Sequence, residues 1–205
     1  MKKVAGYITV GLALTAVLTM GSMCYKQYSK QQVQTQLAEK VLRFHVIANS
    51  DIPEDQQLKL AVRDAIGGYM KERMNGVPSK EVCQDIVAQE IPYIEQVAHA
   101  VIEKEGYDYP VEAKLTTCDF PEKTYGEYTF PAGSYDALRV TIGEGEGKNW
   151  WCVMYPNMCF ANSMYEVVDE TSKKALRAVL DEAEYEAVLQ SGEYEVRFWL
   201  LEMFK

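Results

Sequence analysis

The sequence predicts an α+β domain in which two or three helices pack on one face of a mainly antiparallel sheet, preceded by an N-terminal signal or transmembrane helix. Three observations predict it. Residues 53–105 repeat apolar side chains at helical spacing, residues 111–155 break into short β-like runs punctuated by proline and glycine, and residues 4–23 carry no charged side chain.

The N-terminal run is the first element. Lys2 and Lys3 precede an uncharged stretch from Val4 to Met23. About 20 apolar residues suffice to cross a hydrocarbon core as a helix, and two lysines at the start hold that end on the cytoplasmic side. The stretch is longer than the apolar core of a cleavable signal, and a small-x-small cleavage site is only poorly written around Thr19, Gly21 and Ser22. Signal peptide and membrane anchor therefore both stay open for residues 1–24. Cys24 invites a lipoprotein reading, against which Met23 stands where a small residue belongs. Residues 25–40 are rich in glutamine and read as a polar spacer, so residues 41–205 form the folded part, enough for one domain with a sizeable core.

Charge limits the partners. The chain carries −9, and −11 once Lys2 and Lys3 are set aside. Nucleic acid is not an expected partner, because it demands a basic face that displaces counterions. An acidic domain is also repelled by anionic lipid, which confines membrane contact to residues 4–23.

Within the domain, Val41 to Ala48 is rich in β-branched and aromatic residues and reads as a strand. Leu42, Phe44, Val46 and Ala48 lie on one face, with Arg43, His45, Ile47 and Asn49 on the other. Asp51, Pro53 and Glu54 write a capped helix start, and Leu58, Ala61, Val62, Ala65, Ile66 and Tyr69 continue it to about Arg73. Ser79 opens a second helical stretch ending at Gly106, which Pro92 is expected to kink or split. Val111–Thr117, Tyr125–Phe130, Tyr135–Ile142 and Trp150–Tyr155 follow as an antiparallel meander. Ser172–Tyr185 reads as a helix, and alternation through Tyr194, Val196, Phe198 and Leu200 predicts a closing strand over Glu193–Phe204.

No catalytic set stands out. His99 falls on the polar side of its helix. His45 precedes Ser50 and Asp51, but these two are better explained as turn and cap residues than as a triad. Cys152 with His45 makes a nucleophile pair on paper only. Glu144 and Glu146 sit in the Gly143–Lys148 stretch, which reads as a flexible hairpin loop; its glutamates repel phosphate and do not form a glycosidase dyad. Setting Cys24 aside leaves four cysteines. Cys152 and Cys159 flank a Tyr155-Pro156-Asn157 turn and are candidates for one disulfide; Cys83 and Cys118 either make a second or remain small buried side chains. No recognisable metal ligand set is present in the sequence, and none is expected, nor a cofactor. Trp150 and Trp151 point to opposite faces of a strand, one toward the core and the other a candidate anchor for a protein or glycan.

Two blocks then resemble a known family. The run Leu42-Arg43-Phe44-His45-Val46-Ile47-Ala48-Asn49-Ser50-Asp51, with Pro53-Glu54-Asp55-Gln56, is similar to the start of stage II sporulation protein R. So is the block Phe120-Pro121, Lys123, Tyr125-Gly126, Phe130-Pro131-Ala132-Gly133, Tyr135, Ala137-Leu138-Arg139-Val140, Ile142-Gly143, Gly145, Gly147 and Asn149-Trp150-Trp151-Cys152-Val153. The resemblance implies a protein made in the forespore and exported into the space between forespore and mother cell. There it is expected to switch on a membrane-embedded aspartic protease of the mother cell, which matures the precursor of the mother-cell sigma factor. The family brings no catalytic residues, so the expected role is non-enzymatic. The candidate contacts are Arg43, His45, Asn49 and Asp51 at the strand-to-helix corner, with Trp150 or Trp151 as aromatic anchor. The alternative is a cell-envelope hydrolase or glycan-binding protein that uses Cys152 or the tryptophans.

Overall fold

The computed structural model describes residues 2–158 and 170–190. It begins with one long helix, α1 (Lys2–Lys40), followed by β1 (Leu42–Ile47), α2 (Pro53–Lys71) and α3 (Lys80–Lys104). Five strands follow: β2 (Val111–Phe120), β3 (Lys123–Tyr125), β4 (Tyr128–Phe130), β5 (Gly133–Ile142) and β6 (Asn149–Tyr155). Helices α4 (Glu170–Val179) and α5 (Glu182–Gln190) close the described part.

The fold is α+β as expected, but the sheet is mixed. Its order is β2-β5-β1-β6, with β1 parallel to β5 and antiparallel to β6. Within it β2–β5 and β1–β6 are antiparallel, and of the consecutive pairs that a meander demands β3–β4 forms in a separate sheet. The difference comes from β1. Sequential strands β5 and β6 separate to admit the first strand of the domain between them, a non-local pairing that no local signal announces. Strands β3 and β4 form their own two-stranded sheet, turning through Gly126 at a φ of 58°.

Both faces of the sheet are covered. Against one lie α2 and α3, whose Leu58, Val62, Ile66, Val87, Ile94 and Ala98 bury Leu42, Phe44 and Val46. Against the other lie the β3–β4 hairpin, α4, α5 and the end of α1, around Tyr128, Phe130, Tyr135, Leu176 and Val188. Helices α2 and α3 thus pack on one side and α4, α5 and the end of α1 on the other, instead of all on one. A strand buried on both faces reads as a near-continuous apolar run, and this explains why V-L-R-F-H-V-I-A is so poor in polar residues.

Helix α1 enters the second core directly. Leu37 is fully buried, Lys40 pairs with Glu184 and lies 3.7 Å from Asp181, and Lys80 Nζ donates to the Ala38 carbonyl at 2.7 Å. Residues 25–40 therefore belong to a helix that docks on the domain. Among the described residues no helix is long and apolar enough to cross a membrane. Helix α3 runs unbroken across Pro92, whose exposed position lets the chain tolerate one missing hydrogen bond. Ser79 caps it by accepting from the Val82 amide at 3.3 Å. The expected 172–185 helix is two helices, α4 and α5. The closing strand expected over Glu193–Phe204 lies outside the described residues.

The stretch from Gly143 to Lys148 is not a hairpin, since β5 and β6 are not paired. It passes over the C-terminal end of β1 and is held there by backbone groups of the corner: Gly147 donates to the Ala48 carbonyl at 2.9 Å, and Glu146 to that of Asn49 at 3.1 Å. The approach is so close that a Cβ on Gly147 would sit 2.2 Å from the Ser50 carbonyl oxygen. Gly68, in the last turn of α2, has nothing within 4 Å of the same position. Opposite outcomes follow for one substitution. Gly68→Ala is expected to stabilise the domain by about 0.5–1 kcal/mol by removing unfolded-state freedom, whereas Gly147→Ala costs more than about 2 kcal/mol because backbone must move. Urea unfolding of the two variants checks both signs.

Candidate functional site

The strand-to-helix corner is built from a buried carboxylate outward. Asp55, 1% exposed in the first turn of α2, accepts from Asn49 Nδ2 at 2.9 Å and from Ser50 Oγ at 2.6 Å. Burial pushes its carboxyl up, but the hydrogen bonds from Ser50, Asn49 and Tyr109 outweigh it and hold the group below its ordinary value. Asn49 then uses its other end, Oδ1, to accept the Glu144 amide at 3.0 Å, and Asp51 Oδ1 accepts the Lys148 amide at 2.7 Å. Lys59 completes the lock by donating to the Lys148 carbonyl at 3.0 Å. Asp51 is thus not the helix cap. That position falls to Ile52, with no side-chain bond, and Pro53 needs none. Asn49 and Asp51 are brought together by the glycine-rich loop, which they pin.

On the opposite face of β1 the side chains are buried. Arg43 is fully enclosed: its Nε donates to the Cys152 carbonyl at 3.0 Å and its Nη2 to the Tyr125 hydroxyl at 3.0 Å. The guanidinium lies 4.4 Å from the Phe120 ring centre, 5.1 Å from Tyr135 and 5.3 Å from Phe130. Burial lowers its pKa, opposed by Tyr125 and Tyr135. His45, 3% exposed, stacks on Trp151 at 4.9 Å and 8°, with Nε2 3.4 Å from Cys118 Sγ. Burial, then Arg139 and Arg43, lower its pKa to about 4, so the ring is neutral at physiological pH. Burial also pushes the Cys118 thiol up, with Asp119 and Asp136 adding to it and Arg139 opposing. That pair is not an activated thiolate with a charged base.

The six nominated residues therefore separate into three places. Arg43, His45 and Trp151 share one face, Asn49 and Asp51 share the loop corner, and Trp150 lies on the other face, edge-on to Phe44 at 5.5 Å with Arg63 5.0 Å from its ring centre. Asp51 is exposed and both tryptophans are half-buried, while Arg43 and His45 are inside the domain. Sequence reasoning missed Asp55, Arg139 and Lys80. Arg139 sits directly across from His45 in the parallel pairing, and its Nε is buried with no partner among the described residues, as are Arg43 Nη1 and His45 Nδ1. A charged residue inside the apolar run Ala137-Leu138-Arg139-Val140 was the available signal. Cys83 and Cys118 are both free; Cys159, the expected partner of Cys152, lies outside the described residues. His99 is solvated as expected, 3.6 Å from Glu103.

The family model for Stage II sporulation protein R matches residues 38–165 of this chain. Stage II sporulation protein R of Bacillus subtilis (strain 168) is 32% identical over 194 residues, covering 86% of this chain and 87% of that protein. No solved structure matches.

The buried neutral imidazole makes stability depend on pH. Its folded pKa of about 4 lies below the ordinary 6.5, so between these values the unfolded chain binds a proton that the folded chain does not. His45 therefore contributes fully above about pH 6.5, and its contribution is lost as pH falls, about 3 kcal/mol in all. Urea unfolding at pH 7 and pH 4.5 is expected to show a drop at least about 2 kcal/mol smaller in His45→Gln than in the parent chain. Equal drops would mean that His45 titrates normally.

Proposed function

Because the chain belongs to the stage II sporulation protein R family, with its role in sporulation, we propose that it is an exported signalling protein that activates a membrane-embedded aspartic protease of the mother cell. That protease then processes the mother-cell sigma factor precursor. The protein is delivered from the forespore into the intermembrane space by residues 1–24, acting as signal peptide or anchor, and it works by contact, without catalysis of its own.

The observation that carries this reading is the extent of the family match, which takes in the end of α1 and every described strand of the domain. The geometry is in keeping with a binding role. The histidine nearest to a cysteine is buried and neutral, and the thiol beside it is held protonated. That cysteine is Cys118 and not the Cys152 of the hydrolase reading, and a protonated thiol beside a neutral buried imidazole is a poor nucleophile pair. His45 acts from inside by stacking on Trp151 and Arg43 by backing Phe120, while Asp51 and the accessible parts of Trp150 and Trp151 are the portions of the nominated set that reach a partner.

The test is processing of the sigma factor precursor in a sporulating host lacking its own copy. The full chain is expected to restore processing, and a chain deleted for residues 1–24 to lose it while still accumulating. A stable, exported full chain that never restores processing overturns the activator reading and favours an envelope enzyme or glycan binder.

A further inference from the structure

At the β2 edge of the sheet, outward backbone amides beyond Ala113 have no partner among the described residues. The register between β2 and β5 is regular from Val111↔Ile142 to Phe120↔Gly133, so the two sides of β2 alternate without a bulge. Just before the strand, Gly143 donates to the Pro110 carbonyl at 2.8 Å, and this assigns the even-numbered positions to β5. Ala113 shows where the odd ones point. Its amide turns away from β5 and donates to Glu95 Oε1 on α3 at 2.8 Å. With a period of two, the amides of Leu115, Thr117 and Asp119 face outward as well, and none has a partner among the described residues. The Thr117 carbonyl receives only a long contact, 3.4 Å, from Thr116 Oγ1. The opposite edge differs, since the Val153 carbonyl of β6 accepts the Met158 amide at 3.2 Å.

Side chains along this edge say what would fit it. Leu115 on β2 and Ile91 on α3 are both half-buried at the rim of the first core. Asp119 is exposed at one end, and Glu95 holds the Ala113 amide at the other. An unpaired strand edge is a template for another strand, with main-chain bonds giving affinity and alternate side chains giving selectivity.

We propose that the outward edge of β2, from Leu115 to Asp119, is a docking site for an extended segment of a partner protein. The segment adds to the sheet as a strand, with an apolar residue toward Leu115 and a basic residue toward Asp119. A second copy of the chain suits the edge poorly. Each copy carries −9, and antiparallel self-pairing centred on Thr117 sets Asp119 against Leu115, which forms no charge pair. Only the identity of the partner rests on the activator reading; the open edge does not.

Proline at an outward-facing position removes a donor that β5 does not use, and edge strands tolerate it. In the sporulating host, full-length Thr117→Pro is expected to accumulate normally and lose precursor processing by at least about tenfold, while Thr117→Ala keeps it. Asp119→Pro, at the strand end, is the second variant should Thr117→Pro fail to fold. A folded proline variant with parental processing overturns the proposal. Amide exchange on the full chain in detergent micelles gives an independent reading: Leu115, Thr117 and Asp119 exchange quickly while Thr116 and Cys118 are protected. Slow exchange at all five shows a covered edge and overturns the proposal. If the parent chain itself restores no processing, the activator reading falls, and the exchange pattern alone decides for or against the edge.

Discussion

A single buried guanidinium, that of Arg43, organises one whole side of the domain. It sits on an interior strand, and among the described residues no carboxylate pairs with it. Taking such a charge out of water costs several kcal/mol even after relaxation. Two bonds to neutral oxygens, on Cys152 and Tyr125, return about 1.5–3 kcal/mol each, and desolvated aromatic faces add about 2 kcal/mol or more. The offset draws on Phe120, Tyr125, Phe130 and Tyr135, which all lie within about 6 Å of the guanidinium. Those residues come from β2, the β3–β4 hairpin and β5. The cation thereby fixes the hairpin on the sheet and forms the floor on which His45, Phe120 and Trp151 stack.

The second constraint is topological. Because β1 is inserted between β5 and β6, the chain leaving β5 must cross the end of β1 to reach β6. Asp55, Asn49 and Asp51 make that crossing rigid, and the glycines at 143 and 147 make it close. Polar residues that looked like a docking corner thus have a prior duty to the fold. Under the proposed role, partner contact is then left to what remains accessible around them.

The positions of the elements were legible in the sequence because they depend on local period. Alternation located β1 and assigned Arg43 and His45 to the same face, and helical spacing located α2 and α3. Pairing was not legible, since the parallel register of Arg43 with Ala137 joins residues that no turn connects. The same gap explains the misread loop at 143–148, which looks like a hairpin when its two flanking strands are assumed to be neighbours. In the candidate site, Trp151 beside His45 could not be foreseen either, because that contact arises only once β6 pairs with β1. The family resemblance, by contrast, rested on contiguous residues and was readable at once.

A domain with His45 held neutral and the Cys118 thiol beside it protonated is in keeping with the proposed role, action by recognition in the right compartment. The most direct test places residues 25–205 behind a foreign cleavable export signal in a sporulating host lacking its own copy. The account predicts that the exported domain restores sigma factor precursor processing while the same residues kept in the forespore cytoplasm do not. Equal processing from both locations would contradict it.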